Sequence, residues 1–127
     1  ASEGNNQVIF CLRGMKTSFN TPHRNMVDFS HIPIVKRLTR MPVCVDPSHS
    51  VGTREASPDG ILDVLHSMSQ GIIAGANMVL VDFHPFPTEA LVDGPQALTL
   101  DELPKFIEDA QISREAYKQR VALWTEK

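Results

Sequence analysis

Hydrophobic and polar positions along the chain alternate between two rhythms. Three short runs, "QVIFCL" (7–12), "PVCVD" (42–46) and "MVLVD" (78–82), are β-branched and apolar almost throughout. Strands that lack polar alternation are buried on both faces, as in parallel sheets. The runs begin roughly 35 residues apart, close to the length of one βα unit. Helical spacing fills the gaps. Ile32, Val35 and Leu38 follow Ser30, a candidate cap, and stop before Pro42. Ser57-Pro58 predicts an N-cap with proline in the first turn, after which Ile61, Leu62, Leu65, Met68 and Ile72 line one face, with an exit at Gly71 or Gly75. "TLDE" (99–102) is a capping-box sequence leading into Leu103, Phe106, Ile107 and Ala110. A terminal helix is expected after Ser113, over 113–127, with Tyr117, Val121 and Trp124 on one side. The chain reads β-α-β-α-β-α-α in a single α/β domain over 1–127.

Parallel strands joined by right-handed crossovers bring all their C-terminal ends to one side of the sheet. Arg13-Gly14 follows the first strand, Asp46-Pro47-Ser48-His49 the second and Asp82-Phe83-His84-Pro85 the third. That is the side on which α/β sheets bind ligands. Arg13, Lys16, His23 and Arg24 give the first loop a cationic character suited to an anionic substrate, unless they are simply solvated. One imidazole, His49, and two carboxylates, Asp82 and Asp93, form a donor set that could hold Mn, Fe or Zn. The plainer readings are a loop histidine, a helix-start charge at Asp82 and an ordinary Asp-Gly-Pro turn at 93–95. Asp46 and His84 are candidates to stand behind such ligands.

Composition narrows the classes. The 127 residues are 42% hydrophobic and 21% charged, as in soluble globular proteins. No apolar run approaches the roughly 18 residues of a membrane span, and the opening "ASEGNNQ" is not a signal peptide. A formal charge of −3 provides no basic field, so nucleic acid is not an expected partner. Cys11 and Cys44 lie within apolar strand runs and read as buried small hydrophobes of a reducing, cytoplasmic compartment.

The segments "CLRG", "HRNMVDFSHIPIVKRLTRMPVCVDPSHSVG" and "AGANMVLVDFHPFPTEALVDGPQALT" resemble the C-terminal part of a 3-deoxy-D-arabino-heptulosonate 7-phosphate (DAHP) synthase over about 8–107. The sister group is 3-deoxy-D-manno-octulosonate 8-phosphate (Kdo8P) synthase. Asp46-Pro47-Ser48-His49 and Arg24-Asn25 are similar to the DAHP form, which places Kdo8P synthase second.

The resemblance implies about three βα units of a TIM (β/α)8 barrel, its C-terminal portion. It implies a transferase of the shikimate pathway of aromatic amino acid biosynthesis, condensing phosphoenolpyruvate with erythrose 4-phosphate. Arg13 would bind the phosphoenolpyruvate phosphate, and Lys16, Arg24, Asp46 and Ser48 would bind substrate. His49 and Arg13 are implied to be catalytic, and His49, Asp82 and Asp93 to be metal ligands. Asp82 stands where the family usually has glutamate, one methylene longer. A whole barrel takes roughly 250 residues, so the expected partners include the remainder of the barrel or further copies of the chain. The alternatives are a Kdo8P synthase using arabinose 5-phosphate and a non-catalytic structural or binding fragment.

Overall fold

The computed structural model describes residues 3–18, 22–92 and 94–126. Strands β1 (Phe10–Leu12), β2 (Val43–Val45) and β3 (Met78–Val79) form one parallel sheet in the order β1-β2-β3. The expected α/β arrangement is therefore present. The strands are shorter than the apolar runs that contain them, because the chain turns away into loops at both ends. Pairing nevertheless continues one step further as single bonds. Asp46 N–H donates to Leu12 O (2.9 Å) and Leu80 N–H to Val45 O (2.9 Å).

β2 is central and wholly buried. Val43 and Val45 meet Phe29, Ile32 and Ala76, with Leu12, Val27, Val35, Ala74 and Val79 around them. Each such side chain contributes about 1.5–3 kcal/mol when fully buried, so this cluster fixes the strands that carry the polar ends. The outer edges of β1 and β3 lack a strand partner among the described residues, and Ile9, Phe10, Met78 and Leu80 are exposed beside them. Cys11 departs from expectation here. It is exposed because β1 is an edge strand, whereas Cys44 on β2 is buried.

The helices are α1 (Ile32–Thr39), α2 (Pro47–Val51), α3 (Asp63–Ile73) and α4 (Leu103–Thr125). Ser30 does not cap α1. It lies in a 3-10 turn (Phe29–His31), and its hydroxyl bonds Asp28 Oδ1 instead. α3 begins later than Ser57-Pro58 predicts, because Gly60 N–H closes a turn onto Ser57 O (2.9 Å) and delays the helix. The two helices expected at the end are one. Ser113 sits inside α4, where its hydroxyl donates back to Asp109 O (3.0 Å) and bonds Ser69 Oγ of α3 (2.8 Å). Among the described residues no helix is long and apolar enough to cross a membrane.

Candidate functional site

The polar cluster after β2 is a helical turn, not a loop. Asp46 is the N-cap of α2, accepting from His49 N–H at 3.0 Å, and Pro47 occupies the first turn, where no N–H partner is needed. Gly52 closes the helix at φ 73, its N–H bonding Ser48 O (2.9 Å). This short helix fixes the direction in which His49 projects.

Asp46 is 1% exposed, and a carboxylate taken out of water must be compensated by partners. Its Oδ2 lies 2.7 Å from His49 Nδ1 and 3.3 Å from Arg13 Nε. The first contact has the range of an ion pair without the alignment of a hydrogen bond. A single buried carboxylate thus joins the ends of β1 and β2.

On the other side of the imidazole, His49 Nε2 is 3.9 Å from Asp82 Oδ2. Asp82 is held at both ends: its N–H donates to Ser48 Oγ (3.0 Å), and its Oδ2 accepts from Gln96 Nε2 (2.8 Å). Ser48 and Gln96 are fully buried, and Gln96 Oε1 has no hydrogen-bond partner among the described residues. Within the chain, Asp46 and Ser48 make supporting contacts. Both side chains lie beneath the surface, occupied with Arg13, His49 and Asp82.

The first loop is drawn over the same end of the sheet. Gly14 (φ 83) makes this possible, since a Cβ there would lie 2.8 Å from Met26 O and 2.9 Å from Asn25 Cβ. Met15 and Met26 exchange backbone bonds of 2.9 and 2.8 Å. Asn25 Nδ2 donates to Arg13 O (3.0 Å), and its own N–H donates to Ser50 O (2.9 Å). Arg24 N–H donates to Val51 O (2.9 Å), and the Arg24 side chain lies over Gly52. His23 Nε2 pairs with Asp63 Oδ2 at 2.8 Å, tying the loop to α3. Arg24 and Lys16 are exposed on this loop. His84 accepts from Phe86 N–H through Nδ1 (2.9 Å), bonding its own turn rather than standing behind His49.

Asn25 and Gln96 lie in the stretches that carry the resemblance, but the contacts they make were not legible. Both act on partners far along the chain, Asn25 on Arg13 and Gln96 on Asp82. Asp93 lies outside the described residues. Among the described residues no group of three or more His, Cys, Asp or Glu side chains could hold a metal. His49 Nε2 and Asp82 Oδ2 are two donor atoms brought face to face. Two donors 3.9 Å apart can share an ion at ligand distances of about 2.0–2.2 Å. Asp46 Oδ2 lies behind Nδ1, on the side where such sites place a supporting carboxylate.

Residues 1–120 match the model of the DAHP synthetase I family. A phospho-2-dehydro-3-deoxyheptonate aldolase of Thermotoga maritima is 36% identical over 110 residues, 86% of this chain and 30% of the relative. A 2-dehydro-3-deoxyphosphooctonate aldolase of Legionella pneumophila is 29% identical over 122 residues, 93% of this chain and 43% of the relative. Among solved structures, a truncated 3-deoxy-D-arabino-heptulosonate 7-phosphate synthase from Thermotoga maritima superposes with a TM-score of 0.78 at 34% identity, over 91% of this chain and 41% of that one. The chain spans less than half the length of these relatives. Its three parallel strands and their helices are part of a TIM barrel, and the chain belongs to the DAHP synthetase I family.

Proposed function

We propose that this chain is a working portion of a DAHP synthase, which joins phosphoenolpyruvate to erythrose 4-phosphate and releases DAHP and phosphate. The observation that carries the reading is the buried Asp46 carboxylate, which links Arg13 to His49 while His49 Nε2 faces Asp82. Arg13 turns its Nε to Asp46, and more than half of its side chain is exposed. A phosphate can take charge-assisted bonds from the rest of the fork. Lys16 and Arg24 add positive charge for the second, sugar-borne phosphate.

His49, Asp82 and Asp93 would hold a divalent ion such as Mn, Fe or Zn, which would supply Lewis acidity toward the aldehyde oxygen. In the reaction, C3 of phosphoenolpyruvate bonds to the aldehyde carbon, water adds at C2 and phosphate leaves. Arg13 steadies charge on the departing phosphate. Asp46 keeps the His49 ring turned with Nε2 toward Asp82, and Ser48 and Gln96 keep Asp82 in place. The open edges of β1 and β3 favour further strands as partners, from the remainder of the barrel or from other copies of the chain.

A Kdo8P synthase is the second reading, favoured by the long alignment with the Legionella relative. The Asp46-Pro47-Ser48-His49 sequence and the higher identity to the Thermotoga relative favour DAHP. The test is phosphate release from phosphoenolpyruvate by the full-length protein with Mn, comparing erythrose 4-phosphate with arabinose 5-phosphate. Turnover with the former is expected. Turnover only with the latter supports the second reading, and none with either leaves a non-catalytic role.

A further inference from the structure

Two loops at the C-terminal end of the sheet meet through side chains 40 residues apart. His23, in the loop after β1, pairs by Nε2 with Asp63 Oδ2 at 2.8 Å, the side chains being 25% and 22% exposed. Asp63 is the first residue of α3, and its place is set independently of that loop. The chain before α3 doubles back. Ala56 and Leu62 bridge antiparallel, Ser57 N–H donates to Ile61 O (3.0 Å), and Asp63 N–H donates to Glu55 O (2.8 Å). At the tip, Asp59 accepts from Ile61 N–H (2.8 Å) and lies 2.9 Å from His66 Nε2 of α3. The second Asp63 oxygen faces the Ser57 hydroxyl at 3.4 Å. Both carboxylate oxygens are therefore engaged, which limits their repulsion of an anion bound at the loop.

We propose that His23 and Asp63 form a clasp that positions Arg24 for the phosphate of the aldose substrate, a role that rests on the proposed function. His23 is a positioning residue and acts through its neighbour. Arg24 follows it directly. The Arg24 N–H donates to Val51 O and the Asn25 N–H to Ser50 O, both at 2.9 Å. With His23 fastened to α3, three successive residues are tied down.

The Arg24 stem then lies against Gly52, where a Cβ would come 2.8 Å from Arg24 Cβ and 3.1 Å from its Nε. Arg24 is exposed. A long exposed side chain loses rotamer freedom when it takes up a ligand. One whose backbone and stem are already fixed loses less. The clasp thus acts on affinity for the sugar phosphate. Bond making lies with Arg13 and His49, which Asp46 holds from below.

The test is steady-state kinetics of the full-length protein with Mn, phosphoenolpyruvate and whichever of erythrose 4-phosphate and arabinose 5-phosphate turns over. His23→Ala should raise KM for the aldose phosphate roughly tenfold, while kcat and the phosphoenolpyruvate KM change by less than about twofold. Asp63→Ala should do the same, and combining the two should add nothing further, as for partners in one contact. His23→Gln should restore most of the affinity, because the glutamine amide puts a donor near the position of Nε2. Arg24→Ala is the reference and should raise the same KM at least as far. If Arg24→Ala has this effect and His23→Ala or Asp63→Ala does not, the clasp is overturned and the proposed function stands. A His23→Ala protein that merely melts earlier, with all three constants unchanged, makes the contact a loop tie and overturns the clasp as well. An aldose phosphate KM unmoved by Arg24→Ala removes Arg24 from the phosphate site, and the clasp's role with it. Wild-type protein that turns over neither aldose phosphate overturns the proposed function and the clasp together.

Discussion

Asp46 and His49 are joined twice. The His49 backbone N–H donates to Asp46 Oδ1 at 3.0 Å, and Asp46 Oδ2 lies 2.7 Å from His49 Nδ1. One carboxylate therefore starts the helix that carries the imidazole and also turns the ring. Because the same Oδ2 faces Arg13, the group expected to meet phosphate and the group expected to meet metal share a support.

Asp46→Asn separates these two jobs. Asparagine caps helices about as well as aspartate, so α2 should persist and the thermal midpoint should change little through the cap. The negative charge behind His49 and Arg13 is lost. Loss of such a support weakens metal affinity by about 10–100-fold, and isothermal titration with Mn measures it. Unchanged affinity would show that the Asp46–His49 contact serves the helix alone.

Gln96→Met tests the buried amide. The Nε2 bond to Asp82 disappears, and with it the Oε1 that has no partner among the described residues. A buried acceptor without a partner costs about 1–3 kcal/mol, so the variant should match or exceed the wild type in urea unfolding. Its Mn affinity should still fall by roughly tenfold, because Asp82 is no longer held. A variant with both properties unchanged would remove Gln96 from the site.

The Arg54–Glu102 pair predicts an acid-sensitive contribution to stability. Burial opposes the Glu102 charge, but the Arg54 fork (2.9 and 3.2 Å) and Thr99 N–H (2.7 Å) outweigh it and hold the carboxyl below its ordinary 4.5. The depressed value means the stabilisation is present above pH 4.5 and is lost as pH falls below it through the folded-state value. Arg54 also donates to Ala97 O (2.9 Å), so the pair steadies the stretch beside Gln96. Glu102→Gln should lose about 1 kcal/mol at pH 7, solvent screening keeping the figure small, and little at pH 3. Urea titrations at the two pH values check both numbers.

Asp109 has the opposite sign. Burial raises its carboxyl above the ordinary 3.8, with His66 pulling the other way. The fold therefore favours the protonated form, and stability falls as pH rises from 3.8 through the folded-state value. Asp109→Asn should raise the melting temperature slightly at pH 7, by the equivalent of less than about 1 kcal/mol given its solvent contact. At pH 3, below both values, calorimetry should find the two proteins alike.

The strand ends were legible because they rest on repetition. Three apolar runs at regular spacing imply parallel strands, and parallel strands bring Arg13, Asp46, His49 and Asp82 to one side. α2 was hidden by its length, since five residues are too few for helical periodicity. The Asp46-Pro47 pair nevertheless carries the signature of a cap followed by a first-turn proline. Ser113 misled because serine serves equally as a cap and as an interior residue bonding back to the carbonyl four positions earlier, as it does to Asp109 O. Gln96 meets its partner 14 residues away across a turn. No local pattern announces such a contact.

The central claim is that His49 and Asp82 are two edges of one divalent-metal site in a family member that condenses phosphoenolpyruvate. Isothermal titration of Mn into the full-length protein and into His49→Ala tests it most directly. The account predicts one high-affinity site in the wild type, weakened at least tenfold in the variant because the imidazole donor is gone. Circular dichroism should remain native, since His49 caps α2 only through its backbone N–H. Equal Mn binding by the two proteins, with the fold intact, would contradict the assignment and take His49 out of the metal site.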